Sequence, residues 1–338
     1  MRAWRTYRLV AALVAAAIVS TSAVRAEVGE VRISKGYGIL YLPLIVMEDR
    51  KLLEKKAAEA GLRNIQVTWY LFDGGNVIND AMLAGTLDIA GTGAPGFLTL
   101  WSKAKGNPRA EVIGVSGMST TALVLNTTNP DVKSLKDFSA KDRIAMPGIK
   151  TSLAAVVLQM AAAKEFGPEN YAKLDAFTVG IPHPEAYAAL TSGKTEIDAH
   201  FASPPYANLE LQNPRVHTVV NSVQLFGNIT LDVVFAPKRF VDANPKTIEA
   251  FLAAFDEACD LIKSDSKSAA EIFVRSLKTK MSVEEALPMV QDRDTQFSST
   301  PNGVMTFANF LATIGSMKQK PATWTDLFVL QLHGRQGS

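Results

Sequence analysis

The 338-residue chain carries one cysteine, Cys259, so an intramolecular disulfide is excluded and stability must come from a packed core. Cys259 recurs at helical spacing with Ile248, Leu252, Phe255 and Ile262 across residues 246–263, which predicts a small core-facing hydrophobe rather than a nucleophile. Histidine is sparse too: His183, His200, His217 and His333 include no pair at the i, i+4 spacing of a helical metal site, so no metal is expected. There is no GxSxG, no phosphate loop of the GxxxxGKS or GxxxxGKT type and no dinucleotide GxGxxG, since GTGAPG at residues 91–96 has the wrong spacing. These absences point away from an enzyme, and neither catalytic residues nor a cofactor is expected. No apolar run reaches the roughly 20 residues of a membrane span. No basic tract interleaved with aromatics is present, so a nucleic-acid partner is not expected.

The amino terminus is distinctive. Arg2, Arg5 and Arg8 precede an unbroken apolar, alanine-rich run at residues 9–19, and small residues lead to Ala23 and Ala26. Residues 1–26 therefore read as a secretory signal peptide cleaved near Ala23 or Ala26. No cysteine follows the run to carry a lipid anchor, so the mature chain is expected to be free in an exported compartment. Cleavage removes four arginines and no acid, which takes the net charge from +2 to −2; the apparent basicity belongs to the export signal.

An apolar content of 47% over this length allows a sizeable core and suggests two domains. Two stretches use one device twice: residues 87–95 (LDIAGTGAP) and 197–205 (IDAHFASPP). Each follows a helix-like run ending in glycine, Gly85 or Gly193. Each continues as an apolar residue, Asp88 or Asp198, small residues and proline, the pattern of a short buried strand entering a helix. Strand and helix patterns alternate around both, giving an α/β fold of two similar lobes. Lobe one takes residues 27–121 and 236–338 and lobe two residues 122–235, with crossover strands at 122–125 and 231–236. A long helix is expected over residues 42–60, ended by Gly61. The mostly helical segment after residue 236 is expected to return to lobe one. Ligands of such sheets sit outside the carboxyl ends of the strands, so two facing edges make a cleft.

Candidate cleft residues follow from this placement. The run 147–152 (PGIKTS) opens a helix after a glycine turn; its free backbone donors, Thr151, Ser152 and Lys150 suit an anion, and an ordinary capped helix start is the other reading. Thr92 and Gly93 form the analogous start in lobe one. Among the aromatics, Tyr37 and Phe201 lie in loops and are the wall candidates. Thr120 and Thr121 precede a crossover strand. His183 and His200 fall in turns of lobe two, where an anion or carbonyl can be bound. Asp88 and Asp198, matched beside buried strands, read as structural hydrogen-bonding groups rather than a general acid and base.

Four segments, 36–43 (GYGILYLP), 81–94 (AMLAGTLDIAGTGA), 145–152 (AMPGIKTS) and 186–205 (AYAALTSGKTEIDAHFASPP), resemble the substrate-binding proteins of ABC importers in the nitrate, sulfonate and taurine group. The resemblance covers nearly all of the mature chain. It implies a periplasmic-binding-protein fold (type II-like) with two hinge strands, and a monomer that closes on a small solute in the periplasm. Delivery would be to an inner-membrane ABC permease driven by a separate ATPase. Carried over by position, it adds Gly38, Ile39 and Ser203 to the pocket. Where family members place an aromatic, Asp, Pro sequence after the second signature strand, this chain has Ser203, Pro204 and Pro205. That departure implies a ligand without an amine, an anionic sulfonate or carboxylate. An enzyme on the same fold, desulfinase-like or pyrimidine-precursor synthase-like, and a sensing partner of a membrane receptor are the alternatives.

Overall fold

The computed structural model describes residues 27–338 apart from residues 63, 73–74, 194–196 and 278–279. The export signal, with Ala23 and Ala26, lies outside the described residues. The strands are β1 (Glu30–Lys35), β2 (Gln66–Leu71), β3 (Ile89–Gly93), β4 (Val112–Thr120), β5 (Val124–Thr127), β6 (Ile144–Met146), β7 (Thr178–Gly180), β8 (Ala199–Ala202), β9 (His217–Asn221), β10 (Asp232–Pro237) and β11 (Gln296–Phe297). One sheet runs β11-β4-β10-β3-β1-β2 and the other β7-β6-β8-β5-β9.

Both sheets follow one plan. In the first, β2, β1 and β3 are parallel, and β10 and β4 continue antiparallel; in the second, β7, β6 and β8 are parallel, and β5 and β9 continue antiparallel. The signature aspartates sit at matching points of this plan. Asp88 Oδ2 accepts from Arg32 N at 2.9 Å and Asp198 Oδ2 from Arg143 N at 3.0 Å. Each carboxylate thus ties its strand to the central parallel neighbour, the structural role that the sequence pattern suggests.

The helices in the first half are α1 (Leu42–Arg50), α2 (Leu52–Glu59), α3 (Gly75–Leu83), α4 (Ala94–Ala104), α5 (Leu153–Phe166) and α6 (His183–Ser192). The second half adds α7 (Tyr206–Leu211), α8 (Ser222–Phe226), α9 (Lys238–Ala243), α10 (Pro245–Ser264), α11 (Ser266–Ser276), α12 (Val283–Val290) and α13 (Val304–Thr313). The helix expected over residues 42–60 is two: Lys51 takes the left-handed conformation (φ 52°) and breaks it into α1 and α2. Among the described residues no helix is long and apolar enough to cross a membrane. Helix α5 is apolar on nearly every side because it is buried nearly all round, and its Ala-rich sequence lets it pack against α4 of the other lobe.

The second crossing differs from its expected position. Residues 231–236 read as a strand closing lobe two, yet β10 pairs with β3 and β4 in the first sheet. The chain leaves the second sheet after β9 and α8 and enters the first at Asp232. Apolar pattern identifies such a strand but not its sheet, because partners are chosen by long-range pairing. The first core gathers Phe97, with ring centroids 5.5 Å from Phe235 and 5.8 Å from Phe328. All three are fully buried, each contributing about 1.5–3 kcal/mol by removal from water. Helix α10 packs on α1 and α2, and α13 on α4.

Candidate functional site

Between the carboxyl ends of the two sheets lies a cavity of about 50 Å³. The first sheet and its loops contribute Tyr37, Leu40, Tyr41, Thr92, Gly93 and Asp232; the crossing contributes Leu123; the second lobe contributes Pro147, Ser152, Leu153, Ala154, His183 and Ser203. So small a space follows from the close approach of the lobes. Ile39 N donates to Pro204 O at 3.0 Å, and Thr151 Oγ1 bonds Asn76 Oδ1 at 3.0 Å. Gly38 has φ 90°, and a Cβ there would stand 2.9 Å from Pro204 O, so only glycine fits both the backbone and the contact.

Six of the expected residues, Tyr37, Thr92, Gly93, Ser152, His183 and Ser203, line this cavity. Gly38 touches its rim through Pro204. The others stand elsewhere. Ile39 and Phe201 are fully buried in the core, because the apolar side chains face the sheets rather than the cleft. Thr120 and Thr121 lie where the chain passes from the first sheet to the second: Thr120 Oγ1 donates to Asp294 O at 3.2 Å, and Thr121 Oγ1 bonds Thr295 Oγ1 at 2.8 Å. Lys150 and Thr151 line a different groove, between the lobes, with Lys103 and Lys318. Lys150 adopts φ 66°, and this left-handed turn carries residues 150–151 out of the cleft before the helix begins.

Ser152 lines the cavity and is also the N-cap of α5. Its Oγ accepts from Ala155 N at 3.2 Å and donates to Gly148 O at 2.5 Å. The cap reading of the 147–152 run thus holds at Ser152, and the same residue faces the cavity. The first-turn N–H groups of Leu153 and Ala154 have no intrahelical acceptor, and the positive end of the 14-residue helix is directed at the cavity.

His183 and His200 stand in a line rather than side by side. His183 Nδ1 is 2.8 Å from His200 Nε2, and His200 Nδ1 is 2.5 Å from Glu210 Oε1. Glu210 Oε2 accepts from Asn126 Nδ2 at 3.0 Å, and Thr218 Oγ1 bonds Asn126 Oδ1 at 2.7 Å. His200, Glu210 and Asn126 are fully buried, so His200 supports the cavity from behind and does not line it. Burial first, and His200 second, push the His183 imidazole well below its ordinary pKa, which keeps it neutral. The His183 ring stacks on Tyr206, with centroids 5.8 Å apart.

Residues 25–276 match the NMT1-like family. The chain belongs to the NMT1-like family. Among solved structures it is similar to the alkanesulfonate-binding protein SsuA from Xanthomonas axonopodis pv. citri bound to MOPS (TM-score 0.70, 17% identity, 87% of this chain and 96% of that one). It is also similar to the periplasmic aliphatic sulphonate-binding protein SsuA from Escherichia coli (TM-score 0.63, 19% identity, 90% and 99% covered). The periplasmic nitrate-binding protein NrtA from Synechocystis gives a TM-score of 0.69 at 15% identity, covering 89% and 84%. At such identities the likeness is one of fold, the two-lobe periplasmic-binding-protein architecture. Among curated proteins no sequence matches.

The most consequential residue of this NMT1-like chain to escape sequence reasoning is Asp232. The cavity holds a carboxylate after all, from β10 rather than from the loop after β8, and the premise for a ligand without an amine falls. The signal was an acid opening an otherwise apolar strand (DVVFAP), in a segment whose sheet was misassigned. Leu40, Tyr41, Leu123, Leu153 and Ala154 carried no such signal, since apolar and aromatic residues at helix starts or beside a strand read as core. Cys259 is partly buried and packed against the core, as its helical spacing predicts, beside a groove with Asp256, Asp260 and Arg335. Burial, then Asp256 and Asp260, push its thiol far up, so it remains a poor nucleophile.

Proposed function

We propose that this protein is an exported solute-binding protein, released near Ala23 or Ala26. In this reading it captures a small organic acid of the sulfonate or carboxylate type between its lobes and delivers it to an ABC permease. It acts as a monomer on a free solute and performs no chemistry. The observation that carries the reading is the polarity of the cavity. The amino end of α5, with Ser152, Thr92 and Ser203, gathers hydrogen-bonding groups for an acidic head, and among the described residues no Lys or Arg lines the cavity. Two of the similar solved structures are an alkanesulfonate-binding and a nitrate-binding protein, which agrees with an oxyanion head. Asp232 adds a second requirement, a hydrogen-bond donor further along the solute, so that an aminosulfonate fits better than a plain one.

Closure demands that the solute touch both lobes and bind the closed arrangement more tightly than the open one. Entry of a solute of this size into a cavity of about 50 Å³ requires the lobes to part first. Calorimetric titration with ethanesulfonate, taurine and ethylamine tests the reading. Saturable binding of the two sulfonates, taurine the tighter, and none of ethylamine is the expected order. Equal binding of taurine in Asp232→Asn would remove the second requirement, and tight binding of ethylamine alone would overturn the acidic head. A thermal-shift panel gives an independent reading, because a ligand at about 100 times its Kd adds about 2.7 kcal/mol of stability.

A further inference from the structure

The line from Glu210 to His183 has a direction, and the surrounding partners set it. Ala207 O can only accept, so the Asn126 amide nitrogen that reaches it at 3.1 Å is a donor, and the same nitrogen donates to Glu210 Oε2. Glu210 Oε1 then faces His200 Nδ1, both groups lying fully buried. Among the described residues the ion-pair partner of Glu210 is His200. A buried carboxylate without a counter-charge is strongly disfavoured, so the pair holds one proton beyond a carboxylate and a neutral imidazole. That proton lies either on Glu210, which then donates to His200 Nδ1, or on His200 as an imidazolium.

Both placements leave a proton on His200 Nε2, which therefore donates to His183 Nδ1. His183, kept neutral, must then carry its own proton on Nε2. We infer that Glu210 and His200 are positioning residues that lock His183 in its Nε2–H form, so that the second lobe offers the acidic head of the solute an uncharged hydrogen-bond donor. The assignment rests on the proposed function for its ligand, not for its protonation pattern. The titratable groups facing the line are Tyr206 on α7, Tyr187 beside Tyr206, and Tyr37, Tyr41 and Asp232 across the cavity. An acceptor at His183 would require the net-negative buried state, with His200 bare at Nε2.

Nitrogen-15 NMR of the imidazole rings reads this directly. With four histidines in the chain, His183→Gln, His217→Gln and His333→Gln assign the signals, His200 by elimination. Near neutral pH, the expected pattern in the full chain without solute is His200 protonated at Nε2, and His183 bare at Nδ1 and protonated at Nε2. A bare Nε2 on His200 would overturn the assignment. In Glu210→Gln the side-chain oxygen must accept from Asn126 Nδ2, which turns the amide nitrogen toward His200 Nδ1, so His200 should stay protonated at Nε2 and ethanesulfonate affinity should be nearly unchanged; a bare His200 Nε2 in this variant would overturn the assignment. His183→Ala should lower ethanesulfonate affinity about tenfold to a hundredfold, with His183→Gln, which keeps an N–H donor, recovering part of it. Unchanged affinity in His183→Ala would overturn the donor role. If the wild type binds neither sulfonate, the ligand class fails, and the NMR pattern still decides the protonation assignment.

Discussion

The edges after β3 and β8 match down to a hydrogen bond, Asp88 to Arg32 N and Asp198 to Arg143 N, and then diverge. After Asp88 the chain uses small residues because space is short. A Cβ on Gly91 would meet Leu44 Cδ1 at 2.7 Å, and one on Gly93 would meet Leu153 Cβ, from the other lobe, at 2.9 Å. After Asp198 it spends the same positions on His200 and Phe201, both fully buried, and Ser203. One edge makes room for the opposite lobe and the other supplies a buried polar line. The two edges share one scaffold, and the cavity draws on the difference between them.

Breaking the polar line should have the largest effect. Glu210→Ala leaves His200 buried without its partner and should cost about 3–5 kcal/mol in urea denaturation. A loss below about 1 kcal/mol would mean that the second edge is as tolerant as the first. Next come the two glycines. Gly91→Ala strains the packing within the first lobe and should lower its stability by about 1–3 kcal/mol. Gly93→Ala should leave stability nearly unchanged and instead keep the lobes apart, read as a larger radius of gyration in solution scattering. An unchanged radius would place no steric demand on that slot.

The aspartates sharpen the comparison at smaller scale. Asp88 also binds the Arg32 guanidinium, at 2.9 and 2.8 Å, and raises its pKa, whereas the Arg143 side chain turns to Ala140 O and Asp142 O. Asp88→Asn should therefore cost about 1.5–3 kcal/mol, against about 0.5–1.5 kcal/mol for Asp198→Asn. Equal losses would show that the backbone bond, common to both, carries the whole effect.

The smallest effect is a slope. His183 is held well below its ordinary pKa by burial and then by His200. The unfolded chain takes up a proton near pH 6.5 that the native ring refuses, so its contribution is present above about pH 6.5 and is lost as the pH falls below it. His183→Gln should flatten that part of the stability profile. An unaltered profile would leave the first edge and the second alike in their response to acid.

Much of the scaffold was legible without coordinates. Glycine-ended helices, short apolar strands, and proline at helix starts gave the βα order, and the repeated Leu-Asp-Ile and Ile-Asp-Ala segments gave the duplication. Legibility fell where a choice depended on distant partners. Residues 231–236 read correctly as a strand but were assigned to the wrong lobe, which hid Asp232. Lys150 and Thr151 had the composition of an anion site, and one left-handed residue turned them outward. Ser152 was legible both as a cap and as a cleft residue because one hydroxyl serves both positions.

What the sequence by itself determined is the local plan: which segments are strands and helices, that two lobes repeat, and which loops end at a cleft. Those properties rest on side-chain periodicity and on the backbone preferences of glycine and proline, which act within a few residues. Tertiary structure alone decided which groups face the cavity. It moved Asp232 into the cavity by pairing β10 with β3, and placed His200 behind His183 rather than beside it. It completed the hydrogen bonding of Glu210 through residues 10 and 84 positions away. Burial and hydrogen-bond partnership are properties of the assembled core, and no local spacing encodes them.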